Sequence, residues 1–122
     1  MRLLLTGPEL FQLIGLAVTL DPSAYALDLV EAEQPLQTRR HRLPDIALVW
    51  LTGAETSTEL QAFLEAHNGT RCIFVMSETA LNEAMTSLIA SHDALFVRQS
   101  EALVVVTATL VAMRANAAST LI

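Results

Sequence analysis

Six consecutive apolar residues, Ile46-Ala47-Leu48-Val49-Trp50-Leu51, follow Pro44-Asp45. A strand wet on one face alternates apolar and polar residues. An unbroken run this short instead reads as a strand covered on both faces, at the centre of a parallel sheet. Such a strand needs helices above and below it, and the rest of the chain supplies the matching periods. Leu3-Leu4-Leu5, stopped by Thr6-Gly7-Pro8, reads as a first strand. Tyr25 to Val30 reads as a second, and Asp28 inside it marks an edge position. Cys72 to Met76 and Asp93 to Val97 are the fourth and fifth.

Helical spacing lies between them. Leu10, Leu13, Ile14, Ala17 and Val18 form one helix face, ended by Asp21-Pro22. Thr56-x-x-Glu59 is a capping box ahead of Leu60, Phe63, Leu64 and His67, and Asn68-Gly69 is the stop. Leu81, Ala84, Met85, Leu88 and Ile89 form a further face, and a last helix runs from Glu101 to about Ala115. The stretch from Glu31 to Arg42 is the least legible, with room for a short helix around Pro35 to Arg39. The order is (βα)₅. Right-handed crossovers make it a flavodoxin-like doubly wound sheet with strand order 2-1-3-4-5, a single domain over residues 1–122.

In such sheets the functional crevice lies beyond the carboxyl ends of the strands. Here that places Thr6-Gly7-Pro8, Trp50 to Gly53, Ser77-Glu78 and Arg98-Gln99. Charge narrows what they can do. The chain has 7 basic against 13 acidic residues, a net charge of −6, and every basic residue is arginine. Without lysine there is no Schiff base and no P-loop lysine. The negative balance argues against gripping a nucleic-acid backbone. Arg39-Arg40-His41-Arg42 is the one basic cluster, four residues in a loop, and reads as solvated. A single cysteine, Cys72, excludes an intrachain disulfide and suits a reducing compartment. No run approaches the roughly 20 residues of a membrane span, so a cytoplasmic domain is expected.

The whole pattern resembles a response-regulator receiver domain, most closely those of the NarL/LuxR group. The resemblance rests on Arg2-Leu3-Leu4-Leu5 with Glu9-Leu10-Phe11, on Leu20-Asp21-Pro22, and on Leu43 to Val49 as third strand. It continues through Thr70 to Ser77 and Ala90 to Ser100. It implies five groups: an acidic pair for Mg²⁺ after the first strand, a phospho-accepting aspartate after the third, a hydroxyl after the fourth and a lysine after the fifth. This chain carries Thr6 and Gly7, Trp50, Ser77 and Arg98 at those positions, so only Ser77 matches. Its four aspartates, 21, 28, 45 and 93, do not rescue the site, since Asp45 and Asp93 begin strands. The resemblance is therefore to a degenerate receiver, without catalytic residues, metal or cofactor.

Each feature has a plainer reading. Trp50 is a switch, a stacking platform or a core plug, and the plug is favoured. Ser77 is a ligand contact or an N-cap. Arg98 binds an anion or pairs with Glu78 or Glu101. Glu9, Glu78 and Glu101 ring one mouth without metal-ligand quality. His41, His67 and His92 lack ligand spacing, and Cys72 is a small apolar residue rather than a reactive thiol.

The last helix is the best positive clue, being apolar nearly all round. Leu103, Val106, Leu110 and Met113 form one stripe, taken as the candidate interface, and Val104, Ala108 and Val111 another. The first expectation is a phosphorylation-independent regulatory domain of an atypical LuxR-type transcription regulator. It would act as a homodimer or through a protein partner, with DNA contact left to a linked output domain. The alternative is a small-molecule sensor binding at Thr6, Gly7, Trp50, Ser77 and Arg98. An unrelated flavodoxin-like enzyme ranks last, for want of converging titratable groups.

Overall fold

The computed structural model describes residues 1–20, 22–38, 42–76 and 82–120, with side chains to Met113 in the last helix. Five strands, β1 (Arg2–Gly7), β2 (Ala26–Glu31), β3 (Ile46–Trp50), β4 (Arg71–Met76) and β5 (Leu95–Arg98), form one sheet in the order β2-β1-β3-β4-β5. Every pairing is parallel. Helices α1 (Leu10–Ala17), α2 (Ser57–Ala66), α3 (Glu83–Ser91) and α4 (Ala102–Thr120) complete a flavodoxin-like architecture. The link from β2 to β3 carries a 3₁₀ turn over Pro35–Gln37 in place of a helix. Proline at the first position of that turn presets its φ, and the chain returns to extended backbone at Thr38.

The period-2 alternation of β3 sorts the core into two layers. Ile46, Leu48 and Trp50 face α1 and α4, together with Leu3, Leu5, Ile73 and Val97. Ala47, Val49 and Leu51 face α2, α3 and the 3₁₀ turn, together with Leu4, Phe63, Phe74 and Met85. All five β3 residues are buried, as its composition requires. β2 is an edge strand.

The helix ends follow local chemistry. Thr56 and Glu59 form a reciprocal capping box at α2. Asn82 caps α3, its Oδ1 accepting from the Met85 amide at 2.9 Å. At the far end of α3, Ala94 donates to Ile89 and Asp93 to Ala90, a Schellman arrangement with Asp93 at φ +58°. Asp93 thus belongs to the turn, and β5 begins two residues later than the sequence reading placed it. Asp45 precedes β3 and accepts the Arg2 amide at 2.7 Å, stitching the amino ends of the strands.

Two faces differ from expectation. In α1 the buried residues are Leu13 and Leu16, while Leu10, Ile14 and Val18 are exposed. The helix is apolar on nearly every side, so spacing alone does not fix its phase. In α4 the stripe expected at an interface is largely internal. Val106 and Leu110 are 1% and 0% exposed and Met113 is 9%, all packed on the sheet. Leu103 alone of that stripe is half-exposed. The Tyr25 hydroxyl donates to the Leu110 carbonyl at 3.1 Å and ties α4 to the start of β2.

Candidate functional site

The carboxyl ends of the strands bring Thr6, Gly7, Trp50 and Arg98 to one end of the sheet, as the topology requires. Ser77 and Glu78 lie outside the described residues, as do Asp21 and Arg39-Arg40-His41. Thr6 is fully buried, and its Oγ1 lies 3.3 Å from Thr38 Oγ1 behind the 3₁₀ turn. Its hydroxyl is turned inward and away from the crevice mouth.

Gly7 and Trp50 form the centre of this end. Trp50 is 8% exposed and belongs to the α1/α4 layer. A β-carbon added at Gly7 would lie 2.8 Å from Trp50 Cβ and 3.4 Å from Leu13 Cδ2. Glycine at position 7 is therefore a packing requirement: β1 and β3 approach so closely there that a side chain would collide with the Trp50 β-carbon and crowd its carbonyl, 3.3 Å away. The same contact leaves no space at Gly7 for a carboxylate.

The loop after β3 is occupied by its own chain. Gly53 has φ +95°, a left-handed conformation that glycine adopts without strain. The turn aims the Thr52 and Gly53 amides at the Glu55 carboxylate, which accepts from Thr52 at 2.9 and 3.1 Å and from Gly53 at 2.9 Å. Adjacent backbone N–H groups of this kind form an anion-binding concavity. Here an internal carboxylate fills it. Glu59 is likewise engaged, accepting from the Thr56 amide at 3.2 Å.

Compared with protein-family models, with curated proteins and with solved structures, the chain finds no significant match. The receiver resemblance thus rests on the residues themselves, and the flavodoxin-like fold rests on the observed topology.

Other candidates resolve into packing. His67 is buried at the end of α2, its Nδ1 2.9 Å from the Phe63 carbonyl and its ring stacked on Phe63 at 4.0 Å. Glu9 is exposed at the N-cap of α1, and Glu101 is exposed at the end of the 3₁₀ turn Gln99–Glu101 that leads into α4. Arg98 is exposed at the end of β5. Among the described residues no three His, Cys, Asp or Glu are grouped to hold a metal, and no helix is long and apolar enough to cross a membrane.

Cys72 is 4% exposed, and burial pushes its thiol up to about 11. The thiolate is the nucleophile, so iodoacetamide at pH 8 is expected to label the native protein far more slowly than the unfolded chain. Equal rates would show an accessible thiol. The raised value has a sign for stability. The unfolded thiol ionises from about pH 9, so this contribution is complete below that and declines toward pH 11.

What sequence reasoning missed is the exposed apolar surface of α1 and β2, beside the Val104 and Val111 stripe of α4 that it had named. Phe11 and Val18 on α1 are 88% and 76% exposed, with Leu10 and Ile14 beside them. On α4, Leu103, Val104 and Val111 are exposed. Thr19 Oγ1 lies 3.3 Å from Thr107 Oγ1, so the two helices adjoin. Leu27 and Leu29 of β2 share a register with Leu3 and Leu5 and so point to the same side of the sheet, where both are partly exposed. Ten of the twelve large apolar side chains exposed among the described residues lie on this side of the sheet, Leu95 among them by its register with Ile73, and α2 and α3 contribute none. The sequence signal was the all-round apolarity of both helices.

Proposed function

We propose that this chain is a pseudo-receiver: a non-enzymatic, phosphorylation-independent regulatory domain of an atypical LuxR-type transcription regulator, acting in the cytoplasm through protein association. The observation that carries the reading is the contact of Gly7 with Trp50. Receiver chemistry needs carboxylates at those two places to hold a hard cation and accept a phosphoryl group. A glycine and a tryptophan supply neither, and the close approach of their backbones leaves no room for a carboxylate at position 7. Glu55 on the adjacent amides supports the same reading, since the nearest backbone anion cradle already holds a carboxylate. What the scaffold keeps is a stable sheet presenting an apolar face, which suits a role in assembly. Contact with DNA falls in this reading to a linked output domain.

Trp50 is the sole tryptophan and reports directly on the crevice. Beryllofluoride with Mg²⁺ is expected to leave its fluorescence unchanged, and acetyl phosphate to leave the mass of the protein unchanged. A saturable fluorescence change or a stable phosphoryl adduct would overturn the proposal.

A further inference from the structure

The two layers of this fold are finished differently. Over α2 and α3 the surface is polar, whereas over α1 and α4 it is apolar and without charge. From Leu10 to Leu20 and from Ala102 to Met113 there is no charged residue, although the chain carries twenty elsewhere. At roughly 150–200 Å² per large side chain, the exposed fractions on α1, α4 and β2 amount to about 750–1,000 Å². That matches the ~800 Å² which each partner contributes to a standard protein interface, and it exceeds the apolar patch of a typical monomer.

We infer that a second copy of this chain covers the face, in an isologous interface built on Phe11 and Val18 of α1, Val104 and Val111 of α4, and the rim of β2. Electrostatics selects that occupant. The chain is acidic overall, so two copies repel except where charge is absent, and this face is where it is absent. Burying the two helix surfaces desolvates no charged side chain from Leu10 to Leu20 or from Ala102 to Met113, and Glu31 at the end of β2 stays at the edge. Neutral apolar surface is complementary to itself, which is what a two-fold interface requires. Phe11 is the central anchor, a rigid aromatic exposed on the outermost line of α1. The inference deepens the associative reading above and rests on it only for its biological use. It moves the interface off Val106, Leu110 and Met113, which the core already employs, and onto the opposite side of α4.

Sedimentation and light scattering over a concentration series test it. The wild-type chain is expected to dimerise with no phosphodonor present. Phe11→Glu and Val104→Glu are each expected to raise the dissociation constant more than about tenfold, with an unchanged circular dichroism spectrum and melting profile of the monomer. Leu43→Glu, an exposed apolar residue away from the face, is expected to leave the dimer intact. A wild-type monomer up to millimolar concentration would overturn the inference. So would a dimer indifferent to both face variants, or one broken equally by Leu43→Glu. Failure here with a silent beryllofluoride titration would leave the non-enzymatic reading standing. A responsive titration with an intact dimer would do the reverse.

Discussion

Trp50→Asp is expected to unfold much of the domain rather than install a phosphorylation site. Removing a buried indole costs about 3–5 kcal/mol from lost burial and the cavity left behind, and a carboxylate placed in the α1/α4 layer adds a desolvation penalty. Domains of this size have about 5–15 kcal/mol in total. The acidic pair is missing as well, so aspartate at position 50 would find no cation site beside it. Urea denaturation of Trp50→Asp and of Trp50→Phe separates the contributions. The phenylalanine variant is expected to fold with a smaller loss. A folded Trp50→Asp that takes stable label from acetyl phosphate would show that the crevice tolerates receiver chemistry.

Leu110→Arg has the other large expected effect. Leu110 is fully buried between α4 and the sheet, and its carbonyl accepts the Tyr25 hydroxyl. A guanidinium there has no partner within the apolar layer, and losses above about 4 kcal/mol follow from an unpaired buried charge. The variant is expected to lose its cooperative melting transition, in contrast to Val104→Glu six residues earlier on the same helix. A well-folded Leu110→Arg that merely became monomeric would return the interface to the stripe where sequence spacing first put it.

That contrast shows where the sequence was legible. The five apolar residues of β3 with Leu51 after them, the glycine and proline stops and the Thr56–Glu59 box each have one physical meaning, and together they fit strand order 2-1-3-4-5. The plug at Trp50 was legible too, because an indole among buried strand residues has few other uses. Helix phase was not. Periodicity locates a buried face only when the opposite face is polar. In α1 the alternation of Leu13 and Leu16 with Phe11, Ile14 and Val18 offers no such contrast, and only the sheet decides which side is inward. The same ambiguity reversed the reading of α4. Glu55 escaped notice for a different reason. A carboxylate satisfying two amides depends on the left-handed turn at Gly53, a backbone property that side-chain patterning does not encode.

The pairing of Gly7 with Trp50 also constrains how this chain can change over generations. A β-carbon at position 7 would meet the β-carbon of residue 50, an atom that every residue but glycine carries, so an acidic residue at 7 is disfavoured whichever side chain stands at 50. Loss of Trp50 first leaves a void beside a glycine and gives nothing in return. Replacing the indole with aspartate leaves position 7 as crowded as before, so a reversion to receiver chemistry also requires β1 and β3 to separate there. The block lies in the spacing of the strands as well as in the indole, so the crevice is slow to reopen and the surface of the domain is left as the part free to acquire new roles.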